Sequence, residues 1–78
     1  MEGVKVGDHV VLVEMDRDIL PYGRSYQFLY RSPEIWEVIG RFDGRDTGII
    51  LDLHGIFAKI LTRGRIGWIA TANLQVIP

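Results

Sequence analysis

Cysteine is absent from the 78 residues, which removes a disulfide framework and any thiolate metal site and fits a reducing compartment. The two histidines, His9 and His54, stand alone and without metal-ligand spacing, so they read as solvated turn or strand residues. Serine occurs only at positions 25 and 32, with no G-x-S-x-G elbow around either. Asp43, Asp46 and Asp52 fit turn and strand roles better than an acid/base pair. Gly40, Gly44 and Gly48 recur every four residues but satisfy neither GxxxxGK[ST] nor GxGxxG. These absences predict a protein that is not an enzyme, with no catalytic residues, no metal, no cofactor and no small-molecule substrate. No apolar run approaches the roughly 18 residues of a membrane span. Glu2 follows Met1 without the charged start of a signal peptide, and the expectation is a soluble, cytoplasmic protein. A formal net charge of -1 argues against a general polyanion binder. Lysine is scarce, at two against seven arginines, a ratio that favours recognition, since arginine makes bidentate and stacked contacts.

What is present is alternation. From Thr47 to Ile77 the chain reads as four short strands. Ile49, Leu51 and Leu53 share one face at period two, and His54-Gly55 breaks the run. Ile56, Ala58 and Ile60 resume it, and Thr62-Arg63-Gly64 makes a second hairpin turn, with Gly64 free to take a positive φ. Arg65 to Ile69 is the next strand. Ala70 to Asn73 is long enough only for one 3₁₀ turn before a closing strand at Leu74 and Val76.

Val4 to Glu14 is the first strand, bent near Gly7-Asp8. The expected inward set is Val6, Val10, Leu12, Ile49, Leu51, Ala58, Ile60, Ile69 and Leu74. Alternation then sends Val11, Val13, Ile50, Phe57, Leu61 and Trp68 outward as interface candidates. Met15 to Pro33 is a long excursion of the kind that in compact domains is usually functional. Its aromatic and arginine residues, Tyr22, Arg24, Tyr26, Phe28, Tyr30 and Arg31, make a candidate recognition surface, with a lid over the barrel end as the competing role. Tyr26, Phe28 and Tyr30 alternate as an extended limb would. Ile35 to Phe42 alternates as a second limb, and Asp43-Gly44-Arg45-Asp46 is a turn.

Gly64, Gly67, Trp68, Ile69 and Leu74 match the Gly-x-x-Gly-Trp-Ile/Val-x-x-x-x-Leu ending of bacterial SH3-like barrels. Val4-Lys5-Val6-Gly7-Asp8-His9-Val10 resembles the Val-x-Gly-Asp-x-Val opening of small SH3-like and KOW-type barrels. The chain is also similar to small free-standing barrel proteins encoded by bacteriophages. The resemblance implies an all-β, SH3-like small barrel of five or six strands, a single domain over residues 1–78. It further implies a long loop after the first strand and a short 3₁₀ turn before the last. As function it implies a non-enzymatic interaction or assembly module, phage-encoded and virion-associated, acting through a protein partner or self-association. At the places where peptide-binding SH3 surfaces carry Pro and Tyr this chain has Ala70 and Asn73, so PxxP recognition does not carry over. The alternatives are a KOW-like nucleic-acid-associated barrel using Lys59, Arg63 and Arg65, with Phe57 and Trp68 as stacking platforms, and a small inhibitor of a host enzyme.

Overall fold

A computed structural model describes residues 3–13 and 26–78. The strands are β1 (His9–Leu12), β2 (Tyr26–Tyr30), β3 (Val38–Asp43), β4 (Gly48–His54), β5 (Phe57–Thr62), β6 (Arg65–Ala70) and β7 (Leu74–Val76), with a 3₁₀ turn at Thr71–Asn73. All pair antiparallel in one sheet of order β3-β2-β6-β5-β4-β1-β7. There are seven strands rather than five or six, because Tyr26–Tyr30 and Val38–Asp43 form a hairpin of their own.

The sheet has to curl, and chain length is the reason. β3 and β4 stand four strand spacings apart in the order, about 19 Å if the sheet were flat. Only residues 44–47 join them, and the five Cα steps from Asp43 to Gly48 reach roughly 17 Å at full extension. Curling brings the inner face of the β2–β3 hairpin over β4 and β5 as a half-barrel. Phe42 lies against Gly48, where an added Cβ would stand 3.5 Å from the Phe42 ring and 3.4 Å from Ile60 Cδ1. Val10, Leu12, Leu29, Phe42, Ile50, Ala58, Ile60, Ile69 and Leu74 form the buried core, with Val4 and Ile39 packed against it. Each large aliphatic side chain fully buried contributes about 1.5–3 kcal/mol.

The turns are local chemistry. Gly55 (φ 58°) and Ile56 make the two-residue loop between His54 and Phe57. Arg63 (φ 53°) and Gly64 (φ 74°) join the paired Thr62 and Arg65, both with the positive φ that a type I′ turn requires. The Asp43–Asp46 turn is held by Asp46 N donating to Asp43 O (2.9 Å), Asp43 N to Asp46 Oδ2 (3.0 Å) and Arg45 N to Asp43 Oδ1 (3.1 Å). In the opening motif, Asp8 accepts from Lys5 N (2.7 Å) and closes a turn through Gly7, at φ 93°. Thr71 N donates to Ile56 O (2.8 Å), fixing the 3₁₀ turn across the end of the barrel.

Three expected inward residues face outward, and one expected outward residue is core. Val6 sits in the Lys5–Asp8 turn and is 60% exposed. In β4, Ile50 is 1% exposed and opposite Ile60, whereas Ile49 and Leu51 are exposed, so Ile50 is not an interface residue. A bulge causes this. Ile50 pairs with Ile60 and Asp52 with Lys59, leaving Leu51 as the extra residue. The run from Ile49 to Leu53 therefore does not keep one face: Leu53 pairs with Ala58 on the inner side while Ile49 stays outside. Leu29 and Phe42, both fully buried, complete the core from the excursion.

Gly67 marks where β6 and β2 come closest. A Cβ there would stand 2.7 Å from Leu29 Cβ and 3.3 Å from Ile39 Cδ1. Gly67→Ala is therefore expected to destabilise the protein by about 1–3 kcal/mol through overpacking, measurable as a lower urea midpoint. An unchanged midpoint would mean that β2 does not press on β6.

Candidate recognition surface

β2 alternates, and its two faces have separate tasks. Leu29 enters the core. Tyr26, Phe28 and Tyr30 stand on the opposite face, with Tyr26 and Phe28 about 45% and 41% exposed. Their rings meet edge-on at 5.5 Å, and the Arg41 guanidinium of neighbouring β3 lies 5.1 Å from the Tyr26 ring centre. A cation over a ring at this distance is attracted by its quadrupole, by about 0.5–1 kcal/mol where exposed.

The 31–37 loop extends the face. Arg31 N donates to Glu37 O (2.9 Å), the Arg31 and Glu37 side chains meet at 3.0 Å, and Ile35 N donates to Ser32 Oγ (2.9 Å). The closed loop carries Trp36 to 5.7 Å from Tyr30 with 75% of its surface exposed. Tyr30 is in turn opposite Trp68 in the β2–β6 pairing. Around Trp68 stand Lys59, with Nζ 5.9 Å from the ring, and His54, edge-on at 6.4 Å, whose Nε2 is 3.6 Å from Glu34 Oε1. The result is a row of rings from Tyr26 to Trp68 across β2, its loop and β6. Aromatic side chains supply large contact area at small entropic cost, and such area dominates interface energetics.

The structure brings Tyr26, Phe28 and Tyr30 together as expected from their alternation. Arg31 joins them only at the base of the loop, engaged with Glu37. Tyr22 and Arg24 lie outside the described residues. Trp36, Val38 and Arg41 are on the face without having been singled out from the sequence. The alternation of Ile35 to Phe42 against Tyr26 to Tyr30 was the available signal. Of the interface candidates, Val11, Val13, Phe57, Leu61 and Trp68 are half-buried on the outer side. Ile49, Leu61 and Ile66 line up there across β4, β5 and β6.

The basic residues disperse. Lys59 stays beside Trp68, Arg63 at the hairpin tip approaches Asp46 at 3.5 Å, and Arg65 lies over Gly40 and donates to Ile39 O at 2.7 Å. Among the described residues no group of three or more His, Asp or Glu could hold a metal ion, and no helix is long and apolar enough to cross a membrane. What the exposed row offers chemically is apolar area, π faces and cation-backed rings. No protein-family model matches the chain, and no curated protein or solved structure matches it either.

Proposed function

We propose that this protein is a non-enzymatic interaction or assembly module built on an SH3-like barrel, with the aromatic face of β2, the 31–37 loop and Trp68 as its recognition surface. The observation that carries the reading is the exposure of Trp36 together with Tyr26, Phe28 and Val38 on one side of a small sheet. Apolar surface of this kind, contiguous and rimmed by polar groups, marks association sites. What supports the barrel type is the connectivity. The last strand, after a 3₁₀ turn, pairs with the first, and β4, β5 and β6 form a meander. The β2–β3 hairpin is inserted after the first strand, where SH3-like barrels carry their long loop. The terminal motifs that resemble phage barrels supply the biological setting, a phage-encoded protein associated with the virion. Partner contacts then involve another protein or a second copy.

The second reading is a nucleic-acid-associated barrel. It is favoured by the two cations held over rings, Arg41 on Tyr26 and Lys59 on Trp68, since bases stack on such platforms. The net charge of -1 weighs against it.

Sedimentation of the pure protein tests the first reading. From low to high micromolar concentration the protein is expected to associate, or to bind a dye for exposed apolar surface. Trp36→Ser with Tyr26→Ser should abolish that behaviour while stability stays within about 0.5 kcal/mol of wild type, since exposed side chains contribute little to folding. A strict monomer that binds no dye would defeat the reading. Salt-steep, submicromolar binding to single-stranded RNA would move the protein to the second.

A further inference from the structure

Beside the aromatic face, between the β3–β4 turn and the β5–β6 hairpin, lies a cleft of about 380 Å³. Leu29 and Thr62 form part of its wall, Asp43 and Asp46 come from the turn, and Arg41, Arg63 and Arg65 bring three guanidinium groups. Arg41 belongs to both sites, because the same side chain lies over Tyr26.

The arginines are held in different ways. Arg65 crosses Gly40 so closely that a Cβ there would stand 2.5 Å from its Nη1 and 2.9 Å from its Cδ, and Nη1 donates to Ile39 O. The missing side chain at Gly40 thus seats the guanidinium, and one carbonyl occupies only part of a fork that has five donors. Arg63 occupies a left-handed conformation at φ 53°, where Asn or Gly would be favoured. It is well exposed, and its contact with Asp46 Oδ1 at 3.5 Å is long for a charge-assisted bond. A residue kept at a conformational cost with so loose a contact points to a task for its side chain. Arg41 has no carboxylate within ion-pair distance among the described residues.

The two aspartates serve the chain. Asp46 accepts from Asp43 N, and Asp43 accepts from Arg45 N. Their charges still count toward what can enter. Three guanidiniums against two carboxylates leave the cleft with one net positive charge, suited to a monoanion and poorly suited to a phosphate dianion or a polyanionic strand. We propose that this cleft binds a single carboxylate, the Asp or Glu side chain of a protein partner whose neighbouring apolar residue lies on the aromatic face. The proposal rests on the interaction-module reading and adds to it the chemistry of the partner. Arg63 exchanges its long contact with Asp46 for the incoming carboxylate, and Arg65 and Arg41 offer their remaining N–H edges.

The test follows the arginine Nε–Hε resonances of the full chain during titration with acetyl-Leu-Glu-amide, acetyl-Leu-Gln-amide and inorganic phosphate. Saturable shifts of at least two of the three arginines are expected with the Glu probe, and binding about tenfold weaker with the neutral Gln probe, the scale of a lost charge-assisted hydrogen bond. Arg63→Gly separates recognition from structure. It should keep or raise the melting temperature by relieving the turn, yet weaken the Glu probe by about threefold or more. Arg41→Gln should weaken it as well. No saturable shift, equal binding of the Glu and Gln probes, tighter binding of phosphate, or unchanged affinity in Arg63→Gly would each overturn the proposal. Failure here with the sedimentation and dye results intact removes only the cleft. Loss of those results too removes the interaction module itself.

Discussion

Phe42→Ala is expected to cost about 3–5 kcal/mol, the scale of emptying a fully buried aromatic site. Phe42 is the largest fully buried side chain, and it comes from β3, an edge strand of the sheet. Its ring lies against Gly48 on β4, near Ile60. No single neighbour can fill the void, because Gly48 has no side chain and β4 is fixed by pairing with β1 and β5. Domains of this length have roughly 4–12 kcal/mol of stability in total, so the variant should have lost most of its cooperative transition. Urea unfolding followed by tryptophan fluorescence measures it. A loss under about 1 kcal/mol would show that the β2–β3 hairpin does not close over the sheet, and the curled arrangement would be wrong.

The second large effect is a contrast between neighbours. Ile50→Ala should cost about 2–5 kcal/mol, and Ile49→Ala less than about 1 kcal/mol. Ile50 faces Ile60 in the core, while Ile49 is on the outside opposite Leu61. The bulge at Leu51 makes the difference. If the two changes had equal effects, or the order were reversed, the strand would follow the uninterrupted alternation and the bulge would be absent. Unfolding midpoints of the two variants, taken with their denaturant slopes, decide between these outcomes.

Much of β5, β6 and the 3₁₀ turn was legible because each stretch contains one answer. In β5, Ala58 and Ile60 alternate with Lys59, a residue unsuited to a core, so only one face can be buried. Gly64 and the Asp43–Asp46 stretch carry turn chemistry that acts within four residues. Ile49-Ile50-Leu51 carries no such choice, since three consecutive apolar residues satisfy either parity. Hydrogen bonds from a distant segment settle it: Gly7 N donates to Ile50 O (2.8 Å) and Ile50 N to Asp8 O (3.0 Å), pinning Ile50 beside the β1 entry. Val6 was misplaced for a related reason. The Asp8 carboxylate and Gly7 turn the chain just before β1, and Val6 rides on the outside of that turn.

The recognition surface divides in the same way. That Tyr26, Phe28 and Tyr30 share a face follows from period two alone. Which way that face points does not. It depends on Leu29 packing against Gly67 on the other side of the strand, a contact between positions 38 residues apart in the chain.

By itself the sequence determined the all-β class, the hairpin turns, the 3₁₀ turn and the pairing partners within each hairpin. These depend on propensities and periodicities read over four to ten residues. Tertiary structure decided the bulge in β4, the burial of Leu29 and Phe42, and the meeting of Tyr30, Trp36 and Trp68. It also decided the gathering of Arg41, Arg63 and Arg65 at one cleft. Each of these arises only when the β2–β3 hairpin folds across the curled sheet, and that closure is set by the short 44–47 connection and by shape at Gly48 and Gly67, which no local pattern encodes.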